Sequence, residues 1–442
     1  MGKKIIVAGL GHGGIATAAQ LSAAGYDVTV YEQKSEGTLG YDWTDIFAPG
    51  ALETAGIPMP PVTKFEYKEN MTFFNPSETV GLTQHVPEDE LEIKMERRDI
   101  YEHLINHALG CGVKIQYDTK INSPILFGNR VVGIKTDKGD YYGDLIIDAC
   151  GMLSPVRMNL PDSLGIEKEL APFEYIRIFR AFYNKASDEE VSAKFKVMLL
   201  KDNILGMSWV ASEDEYTDVL IGRFEDFDIN EVERFTEVLR KTSPRLGTEI
   251  VRGGQFVKIP VRQPLSLMVA DGYAAIGDSA FMTVPLIGSG IANSLRASKI
   301  LAETVIADKN DSFSAESLWP YQYNFFKSLG TDLAVLAAAK LLMAKLNAGD
   351  VDFLFESGTV TDDDITFGAN FTGLSSMTIK VQDLLNKAKQ VCKNMDFLKK
   401  LPSTGVRISA VTATCATIPR KYNSDKVRTW KKVYEKTFKT NL

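Results

Sequence analysis

The first 32 residues constrain the fold more than any other stretch of this 442-residue chain. Lys4 to Gly9 is a β-branched apolar run, which reads as a strand buried on both faces. A glycine-rich turn follows, Gly9-Leu10-Gly11-His12-Gly13-Gly14. The Ala-rich stretch from Ile15 to Ala24 has helical apolar spacing and closes at Gly25. Asp27 to Tyr31 reads as a second strand, and it ends in Glu32 and Gln33. Strand, glycine turn, helix, strand and acid in this order form a dinucleotide-binding unit. Each part has a task. Gly9 makes the tight turn, Gly11 lets the backbone approach a pyrophosphate, and Gly14 lets helix and strand pack closely. The helix N-terminus, with Gly13 in it, offers N–H groups and a positive dipole end to phosphates. Glu32 can accept hydrogen bonds from ribose hydroxyls and would repel a 2′-phosphate. His12 either donates to a phosphate or is a solvated loop histidine.

Composition sets the class. Apolar residues make up 45% and charged residues 24%, so the chain is globular, with material for a sizeable core and roughly three domains. No segment reaches the roughly 18 apolar residues of a membrane-spanning helix. The most apolar long segment, Leu333 to Leu346, is broken by Lys340 and Lys345. Cys111, Cys150, Cys392 and Cys415 have no metal or redox spacing. That suits a reducing, cytoplasmic setting and predicts no metal site. The net charge of −7 is uneven: residues 380–442 hold 15 Lys and Arg against 4 Asp and Glu. An acidic body with a basic tail excludes a general nucleic-acid binder and suits an anionic membrane surface or an acidic redox partner. Val427, Trp430, Tyr434 and Phe438 fall on one face of a basic helix. That face either packs on the body or lies in a membrane interface.

Farther along, Pro58, Pro60 and Pro61 mark a boundary, and residues 59–92 alternate as strands of a second sheet. A helix is expected over about Arg98 to Leu109, strands at Val113–Tyr117 and Leu145–Ala149, and a meander between Ser123 and Tyr142. Residues 156–264 read as strands at 175–183, 195–200, 206–211 and 219–224, with a helix near 230–241. Tyr273 to Gly277 returns to a buried strand, and a helix runs from about Gly290 to Ala307. Beyond Leu318 the chain is mostly helical, apart from loops expected near 357–373 and 402–418.

Three separated segments share one resemblance: the glycine turn with Glu32; Asp144-Leu-Ile-Ile-Asp-Ala-Cys-Gly151; and Gly272-Tyr-Ala-Ala-Ile-Gly-Asp278 followed by Pro285-Leu-Ile-Gly-Ser-Gly-Ile291. Together they resemble the FAD-dependent oxidoreductases of the p-hydroxybenzoate hydroxylase fold, and most of all the geranylgeranyl reductases. The likeness spans about residues 1–305. It implies an α/β protein: a Rossmann-like FAD-binding domain of the glutathione reductase/p-hydroxybenzoate hydroxylase type, an inserted mixed-sheet substrate domain, and a mostly helical C-terminal segment. The boundaries expected are 1–58 with 93–158 and 265–330 for FAD, 59–92 with 159–264 for substrate, and 331–442 for the helical region.

The resemblance also implies roles. Arg97, or Arg98 one register away, reaches the FAD phosphates. Ile121 meets adenine through its backbone, and Cys150 and Gly151 lie beside the cofactor. Gly277 and Asp278 hold its hydroxyls. Pro285 forms a wall beside the ring, while Gly288, Gly290 and Ile291 present N–H groups to the isoalloxazine. Met207, Trp209 and Gly222 correspond to a stretch that lines the lipid pocket of geranylgeranyl reductases. Tyr41, Asp42 and Trp43 stand where those enzymes carry a Cys-Gly loop, so they are the candidate catalytic residues, with Asp42 a possible proton donor if burial raised its pKa. Cys150 replaces an aspartate that helps bind NAD(P)H in the hydroxylases.

The activity implied is hydride transfer from reduced FAD to a carbon–carbon double bond of a hydrophobic, isoprenoid-like substrate. The flavin would be reduced by NAD(P)H or a ferredoxin-like protein. The competing readings are a flavin-dependent aromatic hydroxylase and a prenyl-binding escort protein without turnover.

Overall fold

The computed structural model describes residues 3–369, 387 and 389–439. The opening unit forms as its residues dictate. Strand β1 (Lys4–Ala8) leads through the glycine turn into helix α1 (His12–Ala23), and β2 (Asp27–Tyr31) returns beside β1 in parallel register, Ile5 opposite Val28. Helix α2 (Arg97–Gly110) delivers β3 (Lys114–Gln116) to the outer edge of β2. On the other side β4 (Leu145–Asp148) pairs in parallel with β1, and β5 (Tyr273–Ala275) with β4. A short antiparallel strand, Val269–Ala270, closes that edge. Every residue of β4 and β5 is buried, as a sheet covered on both faces requires. Helices α1 and α3 (Ile291–Ala307) cover one face and pack against each other. An antiparallel meander (Ile121–Phe127, Arg130–Thr136, Gly139–Tyr142) lies alongside.

The second large sheet has seven strands, in the order Leu246–Pro260, Tyr175–Lys185, Tyr216–Arg223, Gly206–Ser212, Phe195–Leu199, Thr72–Phe74, Gly81–Thr83. Only Phe195–Leu199 and Thr72–Phe74 run parallel. The 15-residue strand Leu246–Pro260 was not foreseen. Gly253 and Gly254 sit at φ +77° and +72°, where the register with Tyr175–Lys185 shifts. Such a bulge breaks the alternation by which a strand is recognised. A small sheet joins Thr44–Phe47, Ile93–Glu96 and Phe65–Tyr67, so its strands straddle the boundaries drawn at 58 and 92.

Among the described residues the C-terminal helices have no core of their own. Val351 and Phe355 share a cluster with Phe73, Phe195 and Val197 of the second sheet. Val411, Cys415, Trp430 and Tyr434 belong to the core of the dinucleotide unit. The loop expected at 402–418 is a helix, Leu401–Ala416. Its threonines satisfy their hydroxyls on carbonyls four residues back, as Thr412 does on Ile408 and Thr414 on Ala410, so they stay helical. Residues 362–369, within the other expected loop, are helical as well; 370–373 lie outside the described residues.

Candidate flavin and substrate site

One cavity of about 790 Å³ runs from the glycine turn to the inner face of the second sheet. Its first wall is the end of β1. Gly9 takes φ +85°, and a Cβ there would lie 2.8 Å from the Ala149 carbonyl oxygen. A Cβ on Gly14 would lie 2.5 Å from the Ala149 Cβ, so α1 touches β4 with no room for a methyl group. Gly11 is the N-cap of α1 and supplies no side-chain acceptor, which leaves first-turn N–H groups for a ligand. Glu32 is buried and accepts the N–H groups of Leu10 (2.9 Å) and Lys34 (2.9 Å). Its carboxylate is thereby fixed against the turn, with lone pairs left for hydroxyl donors. Gln33 and Ile121 also line the cavity.

Arg97, not Arg98, enters this wall: Arg98 is exposed, while Arg97 donates to both oxygens of Asp45 (3.1 and 2.9 Å). Burial works against its charge, and the Asp45 carboxylate outweighs that, so the guanidinium is held firmly protonated. His12 is not solvated. It is buried and stacked 4.7 Å from Tyr101, and burial, with the Arg97 charge, lowers its pKa to about 3. His12 Nε2 and Arg97 Nε are both buried without a hydrogen-bond partner. Orphaned nitrogens beside an uncapped helix start are what a phosphate-bearing ligand would satisfy. The residues therefore fit the diphosphate half of FAD.

The other end of the cofactor site begins where β5 stops. Asp278 is half-buried, accepts the Thr283 hydroxyl (2.7 Å), and has its carboxyl pKa raised by desolvation. Gly290 lies beneath this pair, since a Cβ there would be 2.7 Å from Thr283 Oγ1. It is also the uncapped N-cap of α3, which begins at Ile291. Gly277, Pro285, Gly288, Gly290 and Ile291 all line the cavity. The Gly288 N–H is spent on the Val284 carbonyl (2.9 Å), so of the three N–H groups expected to face a ring only those of Gly290 and Ile291 stay eligible. Cys150 and Gly151 line the wall. The Cys150 N–H donates to Asp148 (3.1 Å), which also receives Ser154, Tyr273 and Ser279. Burial and this carboxylate push the Cys150 thiol well up, so it is no redox thiolate.

Beyond the ring site the wall turns apolar. Ile176 and Ile178 project from Tyr175–Lys185, Leu220 from its neighbour, and Trp43 from the loop after β2. Met207 and Trp209 line it as well. Two expectations fail here. The Asp42 carboxylate points away from the cavity, receives the Gly253 N–H (3.2 Å) and pairs with Arg252 (3.3 Å). It is half exposed, so it lacks both the position and the burial of a proton donor. Gly222 shares a face with Leu220 and Phe224 but is covered by Ile176, 3.1 Å from where its Cβ would be, so it is not a lining residue. Of the loop, Tyr41 and Trp43 do line the cavity, with rings 4.7 Å apart.

Three participants were missed. Arg180 is buried in the apolar wall, paired with Asp218 through two bonds (3.0 and 2.7 Å) and set 5.1 Å from the Trp209 ring. Its signal was present: 176, 178, 180 and 182 share one face of a strand, and a lone arginine sits among Ile, Ile and Phe. Asp45 had none, being an ordinary acid in a stretch whose strand, Thr44–Phe47, the sequence does not signal. Lys340 enters from helix α4 (Thr331–Met343). The C-terminal helix α5 (Ser424–Phe438) settles the basic tail. Val427, Trp430 and Tyr434 are buried, Trp430 and Tyr434 meet the Phe326 ring edge-to-face, and Tyr434 donates to the Pro264 carbonyl (3.1 Å). Its apolar face is engaged in packing on the body. Among the described residues no helix is long and apolar enough to cross a membrane.

No protein-family model matches the chain. It is 22% identical to the digeranylgeranylglycerophospholipid reductase of Sulfolobus acidocaldarius over 421 residues, covering 90% of this chain and 92% of that one. It is 25% identical to the Haloferax volcanii protein of the same name over 329 residues, covering 68% and 75%. Among solved structures it is similar to a geranylgeranyl bacteriochlorophyll reductase-like protein from Thermoplasma acidophilum, with a TM-score of 0.69 at 18% identity, covering 91% and 99%. It also resembles the p-nitrophenol 4-monooxygenase PnpA of Pseudomonas putida, with a TM-score of 0.58 at 16% identity, covering 93% and 98%. With the glycine turn, the Asp278 segment and the second sheet in place, the chain has the fold of the p-hydroxybenzoate hydroxylase-type flavoproteins, and its sequence is similar to the digeranylgeranylglycerophospholipid reductases.

Proposed function

We propose that this protein binds FAD between the glycine turn and α3 and uses it to reduce carbon–carbon double bonds of a hydrophobic, isoprenoid-like substrate. The observation that carries the reading is the continuity of the cavity. The same space that meets Gly9, Glu32 and Asp278 continues into a wall of Trp43, Ile176, Ile178, Met207, Trp209 and Leu220. Such a wall contributes burial of apolar surface to binding, roughly 25 cal/mol per Å² removed from water. Bound FAD supplies hydride chemistry. The chain's own residues hold and orient. Glu32 takes ribose hydroxyls, Arg97 and the start of α1 take phosphates, and the start of α3 favours negative charge that develops on a reduced ring. Tyr41 and Trp43 cover the ring site, and the apolar wall excludes water.

Electrons reach the flavin from NAD(P)H or a ferredoxin-like protein in this proposal. Cys150 provides no carboxylate for a nicotinamide nucleotide, which favours the protein donor. The experiment is anaerobic reduction of the purified yellow protein by NADH, NADPH and a ferredoxin-like donor, followed by an isoprenoid alkene. Reoxidation of the flavin spectrum by the alkene without oxygen is the expected result. Fast reduction by NADPH, with reoxidation by oxygen alone, would replace this reading with an aromatic hydroxylase. A colourless protein that binds the alkene without turnover would replace it with an escort protein.

A further inference from the structure

We propose that Lys340 recognises an acidic group, a carboxylate or a phosphate, on the apolar substrate; this rests on the function proposed above. The argument begins with the charges of the cavity wall. Arg97 has Asp45, Arg180 has Asp218, and Lys68 has Glu92 at 2.9 Å. Lys340 is 5% exposed, lines the same cavity, and makes no ion pair with a carboxylate among the described residues. Among the described residues it is the one buried lysine or arginine of that wall left without one. Its ammonium donates to two backbone carbonyls, Phe173 and Val261, and the Phe224 ring lies 5.4 Å away. An ammonium has three N–H bonds, so one is left over. The acid acting on it most, Glu174, is engaged by Arg262 at 3.0 Å and by the Ala171 N–H.

The two carbonyls come from different parts of the chain. Val261 follows the strand Leu246–Pro260, and Phe173 precedes the strand Tyr175–Lys185. Phe173 is held at φ +66°, a conformation a bulky residue keeps only when its surroundings enforce it. A cation fixed in this way inside an apolar wall carries a desolvation cost unless an anion joins it. Burial, with the Arg262 charge nearby, lowers the Lys340 pKa to about 7, which is how the protein without substrate avoids part of that cost. A substrate acid at the third N–H would supply the missing charge and a charge-assisted bond. Val261 lies two residues after Ile259, whose Cγ2 is 3.8 Å from the Cβ position of Gly288. The acid would therefore be held inside the cavity, close to the 285–291 loop.

The test is calorimetric binding to the holoprotein at pH 6.5 with four probes: a C20 polyprenyl carboxylic acid, the matching monophosphate, the matching alcohol, and a diprenylglycerol phosphate. The wild type should bind at least one acidic probe about tenfold or more tighter than the alcohol. In Lys340→Met that preference should vanish, and in Lys340→Arg it should persist. Preference for the single-chain acids identifies a free acid as the source; preference for the diprenylglycerol phosphate identifies a lipid headgroup. Equal binding of acid and alcohol by the wild type, or a preference that survives in Lys340→Met, overturns the proposal and leaves the apolar-substrate reading standing. Failure to bind any probe overturns both.

Discussion

Replacing Gly14 by Ala tests the contact on which the glycine turn depends. The added methyl would stand 2.5 Å from the Ala149 Cβ and 3.1 Å from Val7 Cγ1. Carbon atoms in contact sit near 3.5–4.0 Å, so α1 must move away from β4 by about 1 Å. Overpacking of this kind costs roughly 1–3 kcal/mol. Alanine returns about 1 kcal/mol of helix propensity, which leaves a net loss of about 0–2 kcal/mol. The same displacement moves the first-turn N–H groups of α1 away from the phosphates, so FAD should be retained less well. The assay is urea denaturation of the apoprotein followed by tryptophan fluorescence, with flavin content measured on the purified holoprotein. The double variant Gly14→Ala/Ala149→Gly removes the opposing methyl and should recover most of the loss, a coupling of about 1 kcal/mol or more. Wild-type stability and flavin content in Gly14→Ala, or no coupling in the double variant, would refute the packing argument.

Asp42→Asn should leave the rate of alkene reduction within about threefold of wild type, because its carboxylate faces Arg252 rather than the cavity; a hundredfold loss in steady-state rate would restore it as a proton donor. Asp218→Asn should destabilise by about 3–5 kcal/mol in urea melts by leaving Arg180 buried without its anion, and Arg180→Met/Asp218→Leu should cost less than that single change. The lowered pKa of His12 predicts acid sensitivity in the apoprotein. Between the folded value of about 3 and the unfolded value of about 6.5, only the unfolded chain binds the proton, so this contribution is present above pH 6.5 and lost as pH falls. The loss from pH 7 to pH 5 should be about 2 kcal/mol, and His12→Phe, which can keep the stack on Tyr101, should flatten that part of the curve. Deleting residues 424–442 should lower the melting temperature by removing Trp430 and Tyr434 from the core, with no change in liposome binding; a variant that melts like wild type but loses liposome binding would contradict the packing seen here.

Residues 3–32 were legible, His12 apart, because their structure is local. The turn needs glycine, the strand needs apolar residues on both faces, and the acid follows at a fixed distance. The residues of 277–291 expected to hold a cofactor were legible as a resemblance to known flavoproteins, and Gly277, Asp278, Pro285, Gly288, Gly290 and Ile291 line the same cavity as the turn. What the sequence left out depended on distant neighbours. Asp42 stood in the right loop with the right chemistry, and only Arg252 and Gly253, about 210 residues away, turn it outward. The strand Leu246–Pro260 hides behind two glycines whose bulge makes sense only beside Tyr175–Lys185. The basic helix α5 has the pattern of an interfacial helix, and what decides between membrane and core is whether Phe326 and Pro264 are there to receive it.

Lys340 marks the division most clearly. In the sequence it is a lysine that interrupts an apolar helix. In the fold it is a cation whose neighbours are two carbonyls, a ring and an apolar cavity. Period and composition fix which residues are buried along an element, because burial follows the backbone repeat. Which charge a buried residue finds opposite it is set by elements far away in the chain, and only tertiary packing brings them together.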